Sequence, residues 1–438
     1  ALEEGQEFFV KIIELINSSG KTIIAHNSKF DIKVIYQHSN ILLRNIYDTM
    51  VVESIITNGY SRKWPSYAEL AEKYAYVLVD KEARKEFYSE NFDGIITNEM
   101  INYACTDVLY LEDMMKEQLK KIEELKLGRV LELEMDLIPV VAKMEINGVL
   151  LDEEKWKILD VECKNKAKEC RAKIIDFFID KLKIGKSGSA LELATTLGMR
   201  DSIRLKDSRE QLALLTNEFS IIEFFKKDIN LNSHAQMLKM LNIAGVKVTA
   251  TNEKVLNKFR SKYEIIDTLL INREQEKKIS TYGLSFLDNI NKKTGRIHSE
   301  FNQMGTFSGR FSSAHPNLQN IPVKDNKMYR ECFIARKGYK ILAVDYSQQE
   351  YRIAGDISGD KIIIDAYNKG IDIHTITAGL MYDLDIKEVT KSQRNSAKTM
   401  NYAILYGTSD YGLAKTFGIR EDEAKILKSK VMSGYPRL

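Results

Sequence analysis

Residues near the C-terminal end of the sequence have types and spacing that fit phosphate chemistry. Arg394, Lys398, Tyr402 and Tyr406 follow one another at intervals of four, and four residues turn a helix by about 400°. These side chains therefore form one stripe, with cations for a polyphosphate and aromatic rings for bases. Asp345 ends the apolar run ILAVD, which predicts a short strand whose final carboxylate can hold a hard metal ion. Together they indicate phosphoryl transfer from a nucleoside triphosphate.

Three longer segments carry a resemblance to a known family. They read ILAVDYSQQEYR (341–352), RNSAKTMNYAILYG (394–407) and TFSGRFSSAHPNLQNIP (306–322). The first two resemble motifs A and B of the family A DNA polymerases, DYSQIELR and RxxxKxxNFGxxYG. The third is similar to the family signature T-x-T-G-R-L-S-S-x-x-P-N-L-Q-N-I-P. The resemblance implies a right-hand polymerase that adds deoxynucleoside triphosphates to a primer 3′ end on a DNA template.

The resemblance also implies a role for each matching residue. Asp345 would ligate two magnesium ions, one activating the primer 3′-hydroxyl and the other steadying the triphosphate and the leaving pyrophosphate. Lys398 would share in catalysis, and Glu350 would block a ribose 2′-hydroxyl. Contacts to the incoming nucleotide are implied at Gln348, Glu350, His374, Arg394, Lys398 and Tyr402. Contacts to the primer–template are implied at Arg310, Gln319, Asn320 and Tyr406.

Motifs A and B also depart from the family pattern. Gln349 and Tyr351 replace Ile and Leu, whereas Tyr402 and Ala403 replace Phe and Gly. Because Tyr402 adds a hydroxyl beside the sugar, we expect dideoxynucleotides to be accepted readily, as in family members with Tyr. Motif C, a His-Asp-Glu turn with the second catalytic aspartate, does not occur before Leu438. The sequence is therefore interpreted as a partial record of a longer polymerase or as half of a split one.

The first 126 residues predict a separate α/β domain. The segment 22–27 is a strand by composition, and helical patterns lie on both sides of it, at 3–17, 28–38, 48–56, 65–75 and 98–126, the last as one helix or two. A strand alternating with helices in this order is typical of an α/β domain.

Two short segments of this domain resemble an editing site. Asn27 and Asp31 lie in AHNSKFD, and Tyr103 and Asp107 lie in YACTD. Alone, a Tyr and an Asp four residues apart on a helix fit a surface pair. Their order resembles the second and third motifs of the ribonuclease H-like 3′–5′ exonuclease domain fused to these polymerases. There Asp31 and Asp107 would hold two magnesium ions and Tyr103 would orient the attacking water; the first motif, D-x-E, is expected upstream of Ala1.

The predicted domain order follows the family. Residues 1–126 form the exonuclease-like domain, 127–300 the thumb and connecting helices, 301–356 part of the palm and 357–438 part of the fingers. Helices are predicted at 129–147, 153–182 and 264–291, and a hairpin at 293–303 with its turn at Thr294-Gly295.

The segment 183–231 is longer than the connection between the thumb helices of bacterial members. We interpret it first as a small helical elaboration of the thumb. The alternative is a docking site for a processivity partner, since a phage polymerase of the family carries a thioredoxin-binding insert in a similar place. An amphipathic pattern with Phe219, Ile222, Phe224 and Phe225 suits either interpretation.

Composition limits the remaining classes of protein. The chain is 44% hydrophobic and 29% charged, with net charge +3, as in ordinary globular proteins. Its four cysteines form no CxxC pair and fit a reducing compartment. No apolar run approaches a membrane span, so a cytoplasmic or organellar protein is expected. A single-subunit RNA polymerase and a non-catalytic DNA-binding fragment remain as alternatives, and Glu350 and the exonuclease-like segment argue against the former.

Overall fold

The computed structural model describes most of the chain. The described residues are 2–58, 64–79, 96–184, 190–197, 217–322 and 327–438. They form two compact units, 1–341 and 342–438. None of the described helices combines the length and apolar character that crossing a membrane requires.

The first part of unit one packs helices on a parallel pair of strands. Its elements are α1 (Leu2–Ser18), β1 (Ile23–Ala25), α2 (Ser28–Ser39), β2 (Ile46–Asp48), α3 (Thr49–Ile56), α4 (Tyr67–Leu70), a π-helical turn (Ala71–Ala75), α5 (Asn98–Leu109) and α6 (Leu111–Glu124). Strands β1 and β2 are parallel, with α2 as the crossover between them. The predicted strand at 22–27 and helix at 28–38 are confirmed, whereas 98–126 forms two helices.

Two long helices continue unit one. The elements are α7 (Gly128–Asn147), β3 (Leu150–Leu151), α8 (Glu153–Leu182), α9 (Ala190–Leu197), α10 (Glu218–Asp228), α11 (His234–Ile243), α12 (Glu253–Leu256) and α13 (Glu264–Tyr282). Asp152 begins α8 because its carboxylate accepts the Lys155 N–H at 3.1 Å. Helix α13 ends at Tyr282 rather than at the predicted 291, because Gly283 follows it and a 3₁₀ turn (Leu284–Asn289) takes over.

The described helices within 183–231 belong to the core of this helical region. Leu197 of α9 and Phe225 of α10 are 2% and 0% exposed. They share one apolar cluster with Phe178 of α8 and Leu269 of α13. These described helices therefore pack into a shared core, and the assignment of the segment to a thumb stays a prediction. Phe219, in contrast, is 75% exposed, and residues 185–189 and 198–216 lie outside the described part of the chain.

Short antiparallel pairs follow α13. They are β4 (Ile290–Asn291) with β5 (Arg296–Ile297), β6 (Glu300–Asn302) with β7 (Ser312–Ala314), and β3 with β8 (Phe333–Ile334), which follows α14 (Lys327–Glu331). The predicted turn at Thr294-Gly295 is confirmed, with Gly295 at φ +65°. The predicted hairpin 293–303 is wrong in its pairing, because 300–302 pairs with 312–314 instead. Turn residues fix where a hairpin folds, but distant partners decide which strands pair.

Unit two is helical. Its elements are α15 (Gln349–Ser358), α16 (Lys361–Asn368), α17 (Ile373–Tyr382), α18 (Lys391–Leu405), α19 (Asp410–Phe417) and α20 (Glu421–Ser433). They enclose an apolar core that includes Tyr351, Ile363, Met400 and Leu413. The predicted strand before Asp345 is wrong: 341–346 has no regular structure, and Leu342 and Val344 are more than 80% exposed. A strand needs a hydrogen-bonded neighbour, and none of the described residues supplies one.

Candidate active sites

Helix α18 presents the predicted cationic and aromatic stripe. It begins with a capping box, in which the Gln393 N–H donates to Thr390 Oγ1 and the Gln393 side chain accepts the Thr390 N–H. Ala397 and Met400 are fully buried, which fixes the rotation of the helix. Arg394, Lys398 and Tyr402 therefore share the other face, and Tyr406 caps the C-terminal end of the helix.

This stripe lines one cavity of unit two together with the motif A residues. The cavity has a volume of about 430 Å³. Its lining includes Asp345, Gln348, Glu350, His374, Arg394, Lys398 and Tyr402. The structure thus brings together every residue predicted to contact the nucleotide, and it adds the carboxylate predicted to hold metal.

Arg394 is already paired with a carboxylate that the sequence analysis did not single out. Its Nε lies 2.6 Å and its Nη2 3.2 Å from the Asp372 carboxylate. Thr375 Oγ1 and Gln348 Nε2 also donate to Asp372, at 2.8 and 3.0 Å. Partial burial acts to raise the pKa of Asp372, but these donors outweigh it and lower the pKa to about 2. Asp372 therefore stays ionised and holds Arg394 in place.

His374 is 1% exposed and is one of the residues that line the cavity. Its Nδ1 lies 2.9 Å from Asn401 Nδ2, and its Nε2 is buried without a hydrogen-bond partner among the described residues. Burial lowers the pKa of His374, and the nearby charges of Arg394 and Lys398 lower it further, against an opposing contribution from Asp372. The ring is therefore neutral near pH 7.

The aromatic end of the stripe is ordered by stacking. The rings of Tyr402 and Tyr406 lie 6.3 Å apart at 15° to each other. Tyr406 donates its hydroxyl to Glu350 Oε1 at 2.6 Å. Glu350, predicted to block a ribose 2′-hydroxyl, is thus hydrogen-bonded to Tyr406, which is predicted to contact the primer–template.

A second cavity lies in unit one, between β1, α2 and α5. Its volume is about 790 Å³. Its lining includes all four residues of the predicted editing site, Asn27, Asp31, Tyr103 and Asp107, with the aromatic side chains of Phe30, Trp64 and Tyr67. Residues separated by 80 positions in the sequence therefore meet at one cleft.

Asp48 fixes the N-terminal end of α2 at this cleft. Its buried carboxylate accepts the Asn27 and Ser28 N–H groups at 3.1 and 2.7 Å, and the Ser28 hydroxyl at 2.7 Å. It also caps α3 through the Met50 and Val51 N–H groups. Burial raises the pKa of Asp31, and the Asp48 charge adds to that effect against a backbone hydrogen bond. Asp31 thus lies where a cation would be favoured.

Three of the predicted primer–template contacts, Arg310, Gln319 and Asn320, lie in unit one near β7, whereas Tyr406 belongs to unit two. Along the sequence Arg310 precedes β7 and Gln319 follows it, and both residues are exposed. Gln319 Nε2 donates to the Phe311 carbonyl at 3.2 Å. The carbonyl of Asn320 accepts the Tyr282 hydroxyl, which fixes this loop on the end of α13.

Three carboxylates at the two cavities suit a hard cation, namely Asp31 and Asp107 in one and Asp345 in the other. Among the described residues, no three His, Cys, Asp or Glu side chains come together to form a complete metal site. Mg²⁺ is commonly held by one or two carboxylates completed by water and substrate phosphates. The donor sets present therefore fit magnesium that binds together with a substrate.

Sequence reasoning missed Asp372, Asn401 and Asp48. None of them is among the residues that line the two cavities; each is hydrogen-bonded to a residue that does line one. Asp372 lies two residues before His374, and Asn401 lies inside motif B, so both are close in sequence to predicted site residues. Their hydrogen bonds depend on the packing of α17 on α18 and of β2 beside α2, which spacing along the chain does not encode.

The chain is similar to known proteins over most of its length. It is 32% identical to DNA polymerase I of Borreliella burgdorferi over 98% of this chain and 43% of that protein. It is 29% identical to DNA polymerase I of Pseudomonas aeruginosa over 96% of this chain and 43% of that protein. The chain thus spans less than half the length of these curated relatives. The POL domain of Pol1 from M. smegmatis, solved with DNA primer-template and dNTP, matches with TM-score 0.68 and 23% identity over 94% of this chain and 63% of that one, which shows a shared fold.

Two family models match different parts of the chain. The model described as 3′-5′ exonuclease matches residues 4–123. The model described as DNA polymerase family A matches residues 204–438, more than half of the chain. The fold is accordingly an exonuclease domain followed by a polymerase domain, and the chain belongs to DNA polymerase family A.

Proposed function

We propose that this chain carries the nucleotide site and the editing cleft of a template-directed DNA polymerase. The complete enzyme extends a primer 3′ end with deoxynucleoside triphosphates and trims it in the 3′–5′ direction. One observation carries the proposal: Arg394, Lys398, His374 and Tyr402 line the same 430 Å³ cavity as Asp345. Cations, a neutral donor, an aromatic ring and a carboxylate suit a triphosphate, its sugar and base, and an associated metal.

The side chains divide the work of binding. Lys398 gives a point charge, whereas Arg394 gives a planar fork that suits two phosphate oxygens. Since Asp372 already occupies that fork, a triphosphate competes with Asp372 or uses the remaining N–H groups. Tyr402 covers the sugar and base, and Gln348 and Glu350 border the sugar. Magnesium bound at Asp345 would lower the pKa of the attacking hydroxyl and stabilise charge on the phosphates.

The editing cleft would receive an unpaired primer end. Phe30, Trp64 and Tyr67 offer ring faces for unstacked bases. Asp31 and Asp107 would hold magnesium, and Tyr103 would orient water toward the terminal phosphodiester. Arg310, Gln319 and Asn320 would contact the primer–template, with Arg suited to phosphate and the amides suited to minor-groove acceptors. A cytoplasmic location and a processivity partner at 183–231 stay predictions.

Binding of a deoxynucleoside triphosphate and binding of primer–template DNA both test this function. We expect the chain to bind each of them, as measured by equilibrium fluorescence. Lys398→Ala should weaken triphosphate binding about tenfold or more, since hydrogen bonds to charged groups contribute about 1.5–3 kcal/mol. Lys391→Ala, at an exposed position of the same helix, is the matched control.

Primer extension separates the remaining alternatives. The assay compares this chain with a version extended downstream to the length of its relatives. Extension with deoxynucleotides by either supports the proposal, and ribonucleotide incorporation on DNA would indicate the RNA polymerase alternative. DNA binding without extension by both versions would leave a non-catalytic DNA-binding protein and refute the proposed activity.

A further inference from the structure

A buried imidazole, that of His374, belongs to the lining of the cavity in unit two. His374 has two ring nitrogens in different surroundings. Nδ1 faces the amide of Asn401 at 2.9 Å, whereas Nε2 is buried and meets no hydrogen-bonding group of the described residues. A buried polar atom without a partner costs about 1–3 kcal/mol, so a ligand that supplied a partner to Nε2 would recover that cost.

The identity of the atom facing Nδ1 decides where the proton sits. An amide nitrogen can only donate, so with Asn401 Nδ2 at this position Nδ1 must be the acceptor. A neutral imidazole with an accepting Nδ1 carries its proton on Nε2. The unpartnered atom is therefore a buried N–H donor of a residue that lines the cavity, and it suits an oxygen acceptor.

A buried network holds the Asn401 amide in this orientation. Asn401 is 0% exposed, and Thr377 Oγ1 lies 2.9 Å from its Oδ1. The Tyr435 hydroxyl lies 2.7 Å from the same Thr377 oxygen and can donate to it. The Thr377 proton is then available for Asn401 Oδ1, shared with the Ile373 carbonyl. The Tyr351 hydroxyl donates to the Asn401 carbonyl at 3.1 Å and fixes the backbone.

The charged groups around the ring favour a neutral donor. Arg394 and Lys398 of α18 line the same cavity, and a third positive charge on His374 would be repelled by them. Asp372, next but one in sequence, is engaged by Arg394. Asp345 and Glu350 line the cavity as well. A neutral N–H in a cavity that already holds two cations adds a directed hydrogen bond to an anion without adding charge.

We propose that Asn401 is a positioning residue, which holds His374 as the Nε2-protonated tautomer so that this N–H donates to a phosphate oxygen of the bound nucleotide. The choice of phosphate as acceptor rests on the proposed function. The tautomer itself rests on the hydrogen bonds around Asn401. Asn401 acts through His374 and does not touch the substrate.

The test replaces one atom of the amide. Asn401→Asp keeps the shape, and its ionised carboxylate accepts a hydrogen bond only from a protonated Nδ1. Asn395→Asp adds the same charge at an exposed position of α18 and serves as the matched control. ¹⁵N NMR of the histidine rings, with His374 assigned by comparison with His374→Gln, reports which nitrogen is protonated. Binding of inorganic tripolyphosphate and of a deoxynucleoside triphosphate is measured on wild type, Asn401→Asp and Asn395→Asp.

We expect wild type and Asn395→Asp to show a bare Nδ1 and a protonated Nε2. Asn401→Asp should show a protonated Nδ1 and bind both anions about tenfold more weakly or worse. If Asn401→Asp is poorly folded, Thr377→Val, which replaces the orienting hydroxyl with a methyl group, should give a mixture of the two tautomers.

Two results would overturn the inference. One is a wild-type His374 protonated at Nδ1, which means that the amide is turned the other way. The other is anion binding by Asn401→Asp equal to that of Asn395→Asp. Failure of the wild type to bind either anion, with the expected tautomer in its spectrum, would instead refute the triphosphate ligand and hence the proposed function.

Discussion

Replacing Glu145 should weaken the attachment of α2, the helix that carries Asp31, to the β6–β7 pair. Glu145, on α7, is 3% exposed and accepts Lys29 Nζ at 2.7 Å and Lys33 Nζ at 2.8 Å, both from α2. Its carboxylate also accepts the Phe301 N–H of β6 at 2.7 Å. Lys29 donates in turn to the Phe301 carbonyl at 2.7 Å. One buried carboxylate therefore joins three elements of unit one.

The magnitude follows from what each substitution leaves behind. Removing one partner of a buried ion pair costs about 3–5 kcal/mol. Lys29 and Lys33 are 18% and 32% exposed, so their ammonium groups can turn to water, which lowers the cost. Glu145→Gln still offers an oxygen to the Phe301 N–H, whereas Glu145→Ala leaves that donor unsatisfied. We expect the free energy of unfolding to fall by about 2 kcal/mol in Glu145→Gln and about 4 kcal/mol in Glu145→Ala.

The same carboxylate predicts a dependence of stability on pH. Burial acts to raise the pKa of Glu145, but hydrogen bonds from Lys29, Lys33 and the Phe301 N–H outweigh it and lower the pKa from 4.5. A carboxylate with a depressed pKa in the folded state stabilises the fold above its unfolded pKa, and this stability is lost as pH falls through the folded pKa. The difference between wild type and Glu145→Gln should be full at neutral pH and shrink below pH 4.5.

Urea unfolding and amide hydrogen exchange in α2 and β6 measure these effects. Glu132→Gln, at an exposed position of α7, is the matched control. A double-mutant cycle with Lys29→Met isolates the pair and should give a coupling of about 1–3 kcal/mol. The reasoning fails if Glu145→Gln lies within about 0.5 kcal/mol of Glu132→Gln, the range of an ordinary surface substitution.

Three further outcomes are expected. In the full-length protein, Asp107→Ala should abolish 3′ trimming and spare polymerisation; unchanged trimming in a gel assay would contradict the editing role. Phe225→Ala should lower the free energy of unfolding by about 3–5 kcal/mol, whereas Phe219→Ala should change it little, and equal effects would mean that α10 is not part of the core. Tyr402→Phe should restore discrimination against dideoxynucleotides in chain-termination assays, since the hydroxyl can replace one hydrogen bond worth about 0.5–1.5 kcal/mol; equal discrimination by both proteins would remove that role.

The sequence predicts best where a pattern repeats along one element. Helix α8 has the predicted bounds, Glu153 and Leu182, and Asp152 caps its first turn. The stripe on α18 follows from a spacing of four residues, and the meeting of its cations with Asp345 follows from the motif resemblance. Local rules of this kind need no knowledge of the rest of the fold.

The failures occur where a distant partner decides the outcome. The run 341–345 has strand composition, yet it stays irregular because no described strand lies beside it. The segment 300–302 pairs with 312–314 across a loop rather than within the predicted hairpin. The π-helical turn at 71–75 is held by Glu53 of α3, which accepts from Lys73 and Tyr74. Pattern reasoning sees each segment, but not the neighbour that sets its conformation.

The two cavities share a feature that explains why the unpredicted carboxylates matter. The residue immediately before the helix at each cavity adopts the left-handed conformation, Asn27 at φ +61° before α2 and Gln348 at φ +54° before α15. Such a backbone costs a non-glycine residue about 1–3 kcal/mol unless its surroundings hold it. Asp48 holds Asn27 through its N–H, and Asp372 holds Gln348 through its side-chain amide. Because these carboxylates compensate the strain, removing either should misplace the first turn of the helix, and with it Asp31 or Glu350.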